Sequence, residues 1–140
     1  MNPHAYSDEE RAAIYRVIRE RRDMRHFRPV PVDPATLRRL LMAAHHAPSV
    51  GYLQPWRFIR VTDPDLRERV HDLVEAERRR TAEVLGERAD EFAKLKIEGI
   101  RECGELLAAV LVRGGEKQVF GRRTLPEMDL ASVACAIQNL

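Results

Sequence analysis

Three arginines and one aspartate lie within five consecutive residues near the N-terminus, in the order Arg21, Arg22, Asp23, Met24 and Arg25. A guanidinium group presents a planar fork of donors that matches phosphate oxygens, and each charge-assisted hydrogen bond contributes about 1.5–3 kcal/mol. Two or three such contacts could anchor one phosphate monoester. On a helix that continued through this segment, Arg21 and Arg25 would share one face. The same cluster is also typical of a solvated helix end, so both interpretations stay open.

The aspartate inside this cluster needs an explanation of its own. A carboxylate that pointed to the same place as the guanidinium groups would repel a bound phosphate. We therefore expect Asp23 to point elsewhere, either to a partner arginine or to a reaction centre.

The loop from Pro48 to Trp56 is the second segment whose residue types could serve a ligand. Ser49 and Gln54 are neutral side chains that can both donate and accept hydrogen bonds. Gly51 allows a backbone amide to approach a ligand closely. Such a loop could hold a flat, polar heterocycle without adding charge. Composition alone, however, favours an ordinary turn between a helix and a strand.

Metal chemistry has little support in the sequence. His45 and His46 are adjacent, and neighbouring residues on a helix point about 100° apart, so they cannot easily chelate one ion. Cys103 and Cys135 form no C-x-x-C pair and cannot supply a four-ligand zinc site. They are typical of structural thiols in a reducing compartment. We therefore predict no metal site.

Length and composition limit the classes of function. The chain has 140 residues, 44% apolar and 33% charged, with a net charge of +2. These values fit one soluble globular domain and are too weakly basic to imply a nucleic-acid partner. No apolar run approaches the roughly 20 residues of a membrane span. The polar segment 1–10 has no hydrophobic core of a signal peptide, so we expect a cytoplasmic protein.

Helix start signals predict the elements that position the arginine cluster and the loop from Pro48 to Trp56. Ser7 and Glu10 form a capping box, which predicts a first helix that runs into the arginine cluster and ends before Pro29. Asp33 and Asp63 are each followed by proline, which predicts two further helix starts. The apolar spacing predicts that the second of these three helices buries a set of four side chains, namely Leu37, Leu40, Leu41 and Ala44.

The remaining pattern predicts strands at 56–62 and 106–112, a turn at Gly114–Gly115 and an apolar helix at 128–140. The stretch 75–90 is almost entirely charged, and we interpret it as a solvated helical excursion that resembles a lid. Two strands are fewer than a stable sheet needs, and the last helix has no stop signal. We therefore expect residues 1–140 to form a single but incomplete domain.

Four sequence blocks, in this order, resemble the nitroreductase superfamily. They are Arg-Arg-Asp-x-Arg at 21–25, Pro-Ser-Val-Gly-x-x-Gln-Pro-Trp at 48–56, Leu-Lys-x-Glu-Gly-Ile-Arg-Glu at 95–102 and Pro-Glu-Met-Asp-Leu, leading to Ala-x-Gln-Asn-Leu, at 126–140. Together they are similar to the branch that fragments reduced FMN to make 5,6-dimethylbenzimidazole, the lower ligand of vitamin B12. General nitroreductases often have Asn where Tyr52 stands, and a bulky residue there fits this branch.

The resemblance implies an α+β fold, with a mixed sheet flanked by helices, and a homodimer that binds FMN at its interface. The substrates implied are reduced FMN and O₂, with NAD(P)H as an electron source. Asp23 is the implied catalytic residue and would transfer a proton or orient a water. The implied cofactor-binding residues lie in the two segments described above: Arg21, Arg22, Asp23, Met24, Arg25, Ser49 and Gln54.

Two other functions stay open at this point. One is an NAD(P)H-dependent nitroreductase or cob(II)yrinate a,c-diamide reductase, which would return its flavin intact. The other is an inactive, truncated flavin-binding fragment. A serine that the family uses in a strand after the last helix would lie beyond Leu140, together with further FMN contacts.

Overall fold

Six helices and two strands make up the parts of the chain that the computed structural model describes, residues 5–113 and 124–140. The predicted turn at Gly114–Gly115 lies outside these residues. Two short 3₁₀ turns, Val50–Tyr52 and Gly86–Arg88, connect longer elements. The elements are α1 (Asp8–Glu20), α2 (Pro34–His45), β1 (Trp56–Arg60), α3 (Pro64–Leu85), α4 (Ala89–Ala93), α5 (Gly99–Glu102), β2 (Leu107–Leu111) and α6 (Met128–Asn139).

The predicted capping box begins α1. The Ser7 hydroxyl accepts a hydrogen bond from the Glu10 amide at 3.2 Å, and the Glu10 carboxylate accepts one from the Ser7 amide at 2.7 Å. These bonds satisfy two amides that a helix start otherwise leaves unpaired. No residue of α1 is buried, and its apolar side chains Ile14, Val17 and Ile18 are exposed. α1 therefore carries an apolar stripe that no other part of residues 5–113 and 124–140 buries.

The expectation that the first helix continues through the arginines is wrong. The helix ends at Glu20, and Arg21 already has non-helical backbone angles, φ −56° and ψ 140°. Residues 21–33, which we call the strap, contain no helix or strand. Arg21 and Arg25 consequently do not share a helical face.

Two glycines hold the second half of the strap. The Gly104 amide donates to the Arg28 carbonyl at 3.2 Å. A Cβ on Gly99 would come within 2.5 Å of two ring carbons of Phe27, and one on Gly104 within 1.9 Å of the Val30 oxygen. Only glycine permits this close approach.

The helices α2 and α3 begin as predicted. The Asp33 carboxylate accepts hydrogen bonds from the amides of Ala35 and Thr36 at 3.1 and 3.0 Å. Asp63 caps α3 in the same way through the amides of Asp65 and Leu66. The predicted buried face of α2 is correct only in part.

Of that face, Ala44 is buried and Leu37 and Leu41 are half-buried. Leu40 is exposed, because the part of the chain that the structure describes packs α6, and no second layer, against α2.

The two predicted strands form an antiparallel pair in which Trp56 lies opposite Leu111 and Arg60 opposite Leu107. The mixed sheet that the resemblance implies would need more strands than the described residues contain. α6 packs on this pair and on α2. The resulting core is small, and its buried members are Ala44, Ala47, Trp56, Val133 and Ala136.

The charged stretch 75–90 is helical, as predicted. α3 runs without interruption for 22 residues, and the turn at Gly86–Arg88 then leads into α4. Arg78 donates to the Ala93 carbonyl at 2.7 Å and pairs with Glu75, which ties α3 to the end of α4. Among the described residues, no helix is long and apolar enough to cross a membrane.

Candidate functional site

The three guanidinium groups of the arginine segment lie at the surface and differ in their contacts. Arg21 lies 3.3 Å from the Asp23 carboxylate. Arg22 turns back and donates to the carbonyls of Arg19 and Arg21, at 2.9 and 2.7 Å. Arg25 has no hydrogen-bond or ion-pair partner within residues 5–113 and 124–140. At least one guanidinium is therefore free to bind an anion.

A hollow of about 430 Å³ brings Arg21 and Asp23 together against α6. Its other wall is formed by Ala134, Ile137 and Gln138 of that helix. The hollow thus has a cation and a carboxylate on one side and a mostly apolar helix face on the other. Asp23 contacts Arg21, one of the two partners expected for it, but both side chains line the same hollow, so the expectation that Asp23 points away from the guanidinium groups is wrong for Arg21. Met24, in the same segment, is 68% exposed.

The loop between α2 and β1 is held in a strained conformation. Tyr52 and Gln54 have positive φ angles of 54° and 47°, and Gly51 has 54°. Positive φ is costly for residues other than glycine, and such strain is concentrated at functional sites. The Ser49 hydroxyl accepts a hydrogen bond from the Gln54 amide at 3.1 Å, which closes the loop on itself. The Tyr52 side chain is left 81% exposed.

A serine that the sequence analysis did not single out fixes this loop to α6. Ser132 is buried, and its hydroxyl donates to the Met128 carbonyl at 2.6 Å and accepts from the Val50 amide at 3.1 Å. The only local signal for such a role is a serine on the buried face of an otherwise apolar helix. Its partner is 82 residues away in the chain, so sequence spacing does not reveal the contact.

A second hollow, of about 800 Å³, lies between α2 and β1. Apolar side chains such as Leu41 and Phe58 line it together with Gln54, and Arg38 and Arg57 add positive charge. The Gln54 side chain also donates to the His45 carbonyl at 3.3 Å. Its amide group is therefore already oriented at the edge of a space that could hold a flat ligand.

The arginine segment and the Ser49–Gln54 loop contact different sides of α6. Ser132 belongs to its buried face, which contacts the Ser49–Gln54 loop, whereas Ala134, Ile137 and Gln138 line the Arg21–Asp23 hollow. At 100° per residue, these two sets point in roughly opposite directions. Within one chain, α6 thus separates the arginine segment from the loop.

The largest pKa shift among the described residues belongs to Glu75, in the charged stretch 75–90. Hydrogen bonds from Arg78 and then Arg79 lower the pKa of Glu75 from 4.5 to about 2. A bidentate pair also joins the sheet to the preceding loop, where Arg60 contacts Glu105 at 2.6 and 2.8 Å. This pair raises the pKa of Arg60. Both clusters stabilise the fold at a distance from the arginine segment.

The comparison with protein families agrees with this architecture, because the model of the nitroreductase family matches residues 18–140. This chain belongs to the nitroreductase family. A solved structure, a BluB-like flavoprotein from Clostridium difficile 630, superposes with a TM-score of 0.60 at 16% sequence identity. The match covers 90% of this chain and 66% of that one. The nitroreductase-like α+β fold predicted from the sequence is thereby confirmed.

Curated relatives within the family carry a more specific name. The 5,6-dimethylbenzimidazole synthase of Rhodobacter capsulatus is 39% identical over 137 residues, which are 96% of this chain and 66% of that protein. The synthase of Rhodospirillum rubrum is 42% identical over 122 residues, 86% of this chain and 58% of that protein. This nitroreductase-family chain thus spans about three fifths of the length of these relatives.

Proposed function

We propose that this chain carries the FMN-binding and proton-transfer residues of a 5,6-dimethylbenzimidazole synthase. Such an enzyme is a flavin-dependent oxidoreductase that fragments reduced FMN with O₂. The observation that carries the proposal is that Arg21 and Asp23 line one hollow. A phosphate-binding cation and a candidate acid–base group therefore face the same space. The names of the relatives at 39% and 42% identity support this choice among nitroreductase-family activities.

Binding of the phosphate and ribityl chain is the role proposed for the arginines. Arg25 is free to bind at once. Arg22 first has to release the carbonyls that it contacts at the end of α1, which water can then hydrate because the segment is exposed. Arg21 would contact the phosphate or the ribityl chain while its hydrogen bond orients the Asp23 carboxylate. Met24 would cover this part of the ligand with its apolar side chain.

Asp23 is the residue proposed to transfer a proton. The Asp23 carboxylate beside Arg21 could accept a proton, or orient a water that does so, when a bond of the ribityl chain breaks. The electrons released in the fragmentation go to O₂. An NAD(P)H-dependent reaction would supply the flavin in its reduced form.

A second copy of the chain would complete the site. Ser49 and Gln54, the residues proposed to face the flavin ring, lie across α6 from Arg21 and Asp23. A homodimer could place the loop of one subunit against the arginine segment of the other. The uncovered apolar stripe of α1 supports this arrangement, because burial of Ile14, Val17 and Ile18 against a partner would stabilise a dimer.

The direct test incubates the protein with reduced FMN in air and follows 5,6-dimethylbenzimidazole by chromatography. The Asp23→Asn variant should retain FMN binding and lose most of its fragmentation rate. Asp65→Asn, which alters an exposed aspartate on α3, is the matched control and should behave like the unaltered protein. Intact flavin after prolonged incubation, or equal losses of binding and rate in Asp23→Asn, would contradict the proposal.

An NAD(P)H-dependent reductase is the second candidate, and one observation favours it. The hollow between α2 and β1 is large and open enough beside Gln54 to admit an external substrate. A nitroreductase or a cob(II)yrinate a,c-diamide reductase would oxidise NADPH rapidly in the presence of its acceptor and leave the flavin intact. Rapid NADPH oxidation with a nitroarene, without loss of flavin absorbance, would therefore select this alternative.

A further inference from the structure

A cluster of three potential metal ligands lies on α3, on a different element from the residues proposed to bind FMN. Glu68, His71 and Asp72 each offer one ligand atom, and these three atoms lie within 4.8 Å of one another. Glu68 stands three and four residues before His71 and Asp72, a spacing that brings side chains together on a helix. His71 and Asp72 are adjacent and do not share a helical face, but their side chains bend towards each other, so that Nδ1 lies 3.7 Å from the Asp72 carboxylate. The prediction of no metal site rests on the adjacent His45 and His46 and on the two thiols, and does not take these three residues into account.

The burial of the His71 imidazole distinguishes this cluster from an ordinary group of surface carboxylates. His71 is 7% exposed, and neither of its ring nitrogens has a hydrogen-bond partner. Its nearest charged neighbour is the Asp72 carboxylate, 3.7 Å from Nδ1, which is too long for a hydrogen bond. A buried polar group without a partner costs free energy, and a neutral imidazole keeps one lone pair that can bind a metal.

We propose that Glu68, His71 and Asp72 bind a divalent transition-metal ion of the Zn²⁺ class. Zinc lies about 2.0–2.2 Å from imidazole nitrogen and carboxylate oxygen, so ligand atoms around a tetrahedral ion are about 3.4 Å apart. The His71–Asp72 separation is already close to this value. The imidazole favours Zn²⁺ over Mg²⁺ or Ca²⁺, which prefer oxygen ligands alone. Three protein ligands leave a fourth position for water.

Arg101 occupies the carboxylate side of this site and would compete with the ion. From α5, its Nε donates to Glu68 at 2.7 Å, and its Nη2 lies 3.7 Å from Asp72. The ion would have to displace this guanidinium, and its release would remove the ion pair that joins α5 to Glu68 of α3. A divalent ion has the larger charge for this exchange, and exposed ion pairs contribute little to stability.

Glu98 adds negative charge beside the imidazole. The pKa of Glu98 is lowered, first by the hydrogen bonds of its own backbone N–H and the Ile97 amide, and then by Lys96 and His71. Glu98 is thus a third carboxylate near His71, and the cations Lys96 and Arg101 offset part of this negative charge.

The test is a titration of the chelator-treated 140-residue protein with ZnCl₂, measured by calorimetry. We expect one Zn²⁺ per chain and an increase of the melting temperature with Zn²⁺, because a ligand that binds only the folded state stabilises it. His71→Gln and Asp72→Asn should each weaken binding by about 100-fold or more, since even indirect contacts to a metal contribute about 10–100-fold. Asp72 is exposed, so Asp72→Asn should fold normally.

Arg101→Gln removes the competing cation and should tighten binding, by about threefold to tenfold. His46→Gln, which alters an exposed histidine just after α2, is the matched control and should leave the affinity unchanged. Zinc held elsewhere, for example by Cys103 or Cys135, would survive in both His71→Gln and Asp72→Asn. Binding that is absent from the unaltered protein, or equally strong in these two variants, would overturn the proposal.

Discussion

The Val50 amide donates a hydrogen bond of 3.1 Å to the hydroxyl of Ser132, which lies 82 residues later in the chain. This bond joins the strained loop between α2 and β1 to the buried face of α6. Ser132 also donates to the Met128 carbonyl one helical turn earlier, so its hydroxyl is fixed in orientation. The loop that carries Ser49 and Gln54 is therefore positioned by α6 and by its own internal bond to Ser49.

Removal of the Ser132 hydroxyl should loosen this loop. In Ser132→Ala, the Val50 amide loses its partner in a partly buried place, and the free energy of unfolding should fall by about 1–3 kcal/mol. Urea denaturation measures this loss. Cys135→Ala, an exposed substitution on the same helix, should change it by less than about 0.5 kcal/mol. Equal stabilities of the two variants would show that the bond contributes nothing.

The arginines of the strap should differ in their effect on FMN. Arg25 is the member of the proposed phosphate-binding set without a partner in the described part of the chain. Loss of one charge-assisted hydrogen bond should weaken FMN binding by about tenfold to 150-fold in Arg25→Ala. Arg28→Ala removes the same charge three residues later but keeps the Arg28 carbonyl that Gly104 contacts.

FMN affinity, measured by quenching of flavin fluorescence, should be close to normal in Arg28→Ala. A similar loss in both variants would mean that only the overall positive charge matters. Higher salt would then weaken binding in proportion to that charge.

The helix starts could be predicted from the sequence because each depends on a few adjacent residues. Ser7, Asp33 and Asp63 all cap the helices that follow them. The end of α1 could not be predicted, because arginine and methionine are good helix formers and nothing between Arg21 and Arg25 stops a helix. Contacts with α5 and Gly104, about 70 residues later, hold the strap in a non-helical path instead.

The two segments of the candidate site could be predicted from the sequence, but their relative position could not. Residue types identified the arginine segment and the Ser49–Gln54 loop, since guanidinium and amide groups have definite binding chemistry. Their separation by α6 depends on packing that no local pattern encodes. His71 could not be recognised either, because a histidine becomes notable only when its burial without a partner is known.

The two glycines beneath the strap should respond differently to alanine. In Gly104→Ala the new methyl would meet the Val30 backbone oxygen, which cannot move without the strap. In Gly99→Ala it would meet the Phe27 ring, which can turn away. We expect losses of about 1–3 kcal/mol from overpacking, with the larger loss in Gly104→Ala.

Thermal melts rank these two variants, and FMN binding should follow the same order if the strap positions the arginines. A larger loss in Gly99→Ala would contradict the proposed difference between backbone and side-chain contact.

The ion pairs of Glu75 predict a specific dependence of stability on pH. Hydrogen bonds from Arg78, the larger effect, and from Arg79 lower the pKa of Glu75 to about 2 in the folded protein, whereas its ordinary value is 4.5. The unfolded chain therefore binds more protons between these two values, and stability rises with pH in this range. The contribution of Glu75 is fully present above about pH 4.5 and is lost as the pH falls towards 2.

Glu75→Gln should accordingly lower the melting temperature at pH 6, and the difference from the unaltered protein should shrink steadily as the pH falls from about 4.5 to 2. Other carboxylates titrate equally in both proteins, so the difference isolates Glu75. Glu77→Gln alters an exposed neighbour that lies 3.7 Å from Arg80 and should show almost no difference at any pH. A Glu75→Gln difference that stays constant down to pH 2 would mean that packing of the side chain, and not its charge, ties α3 to α4.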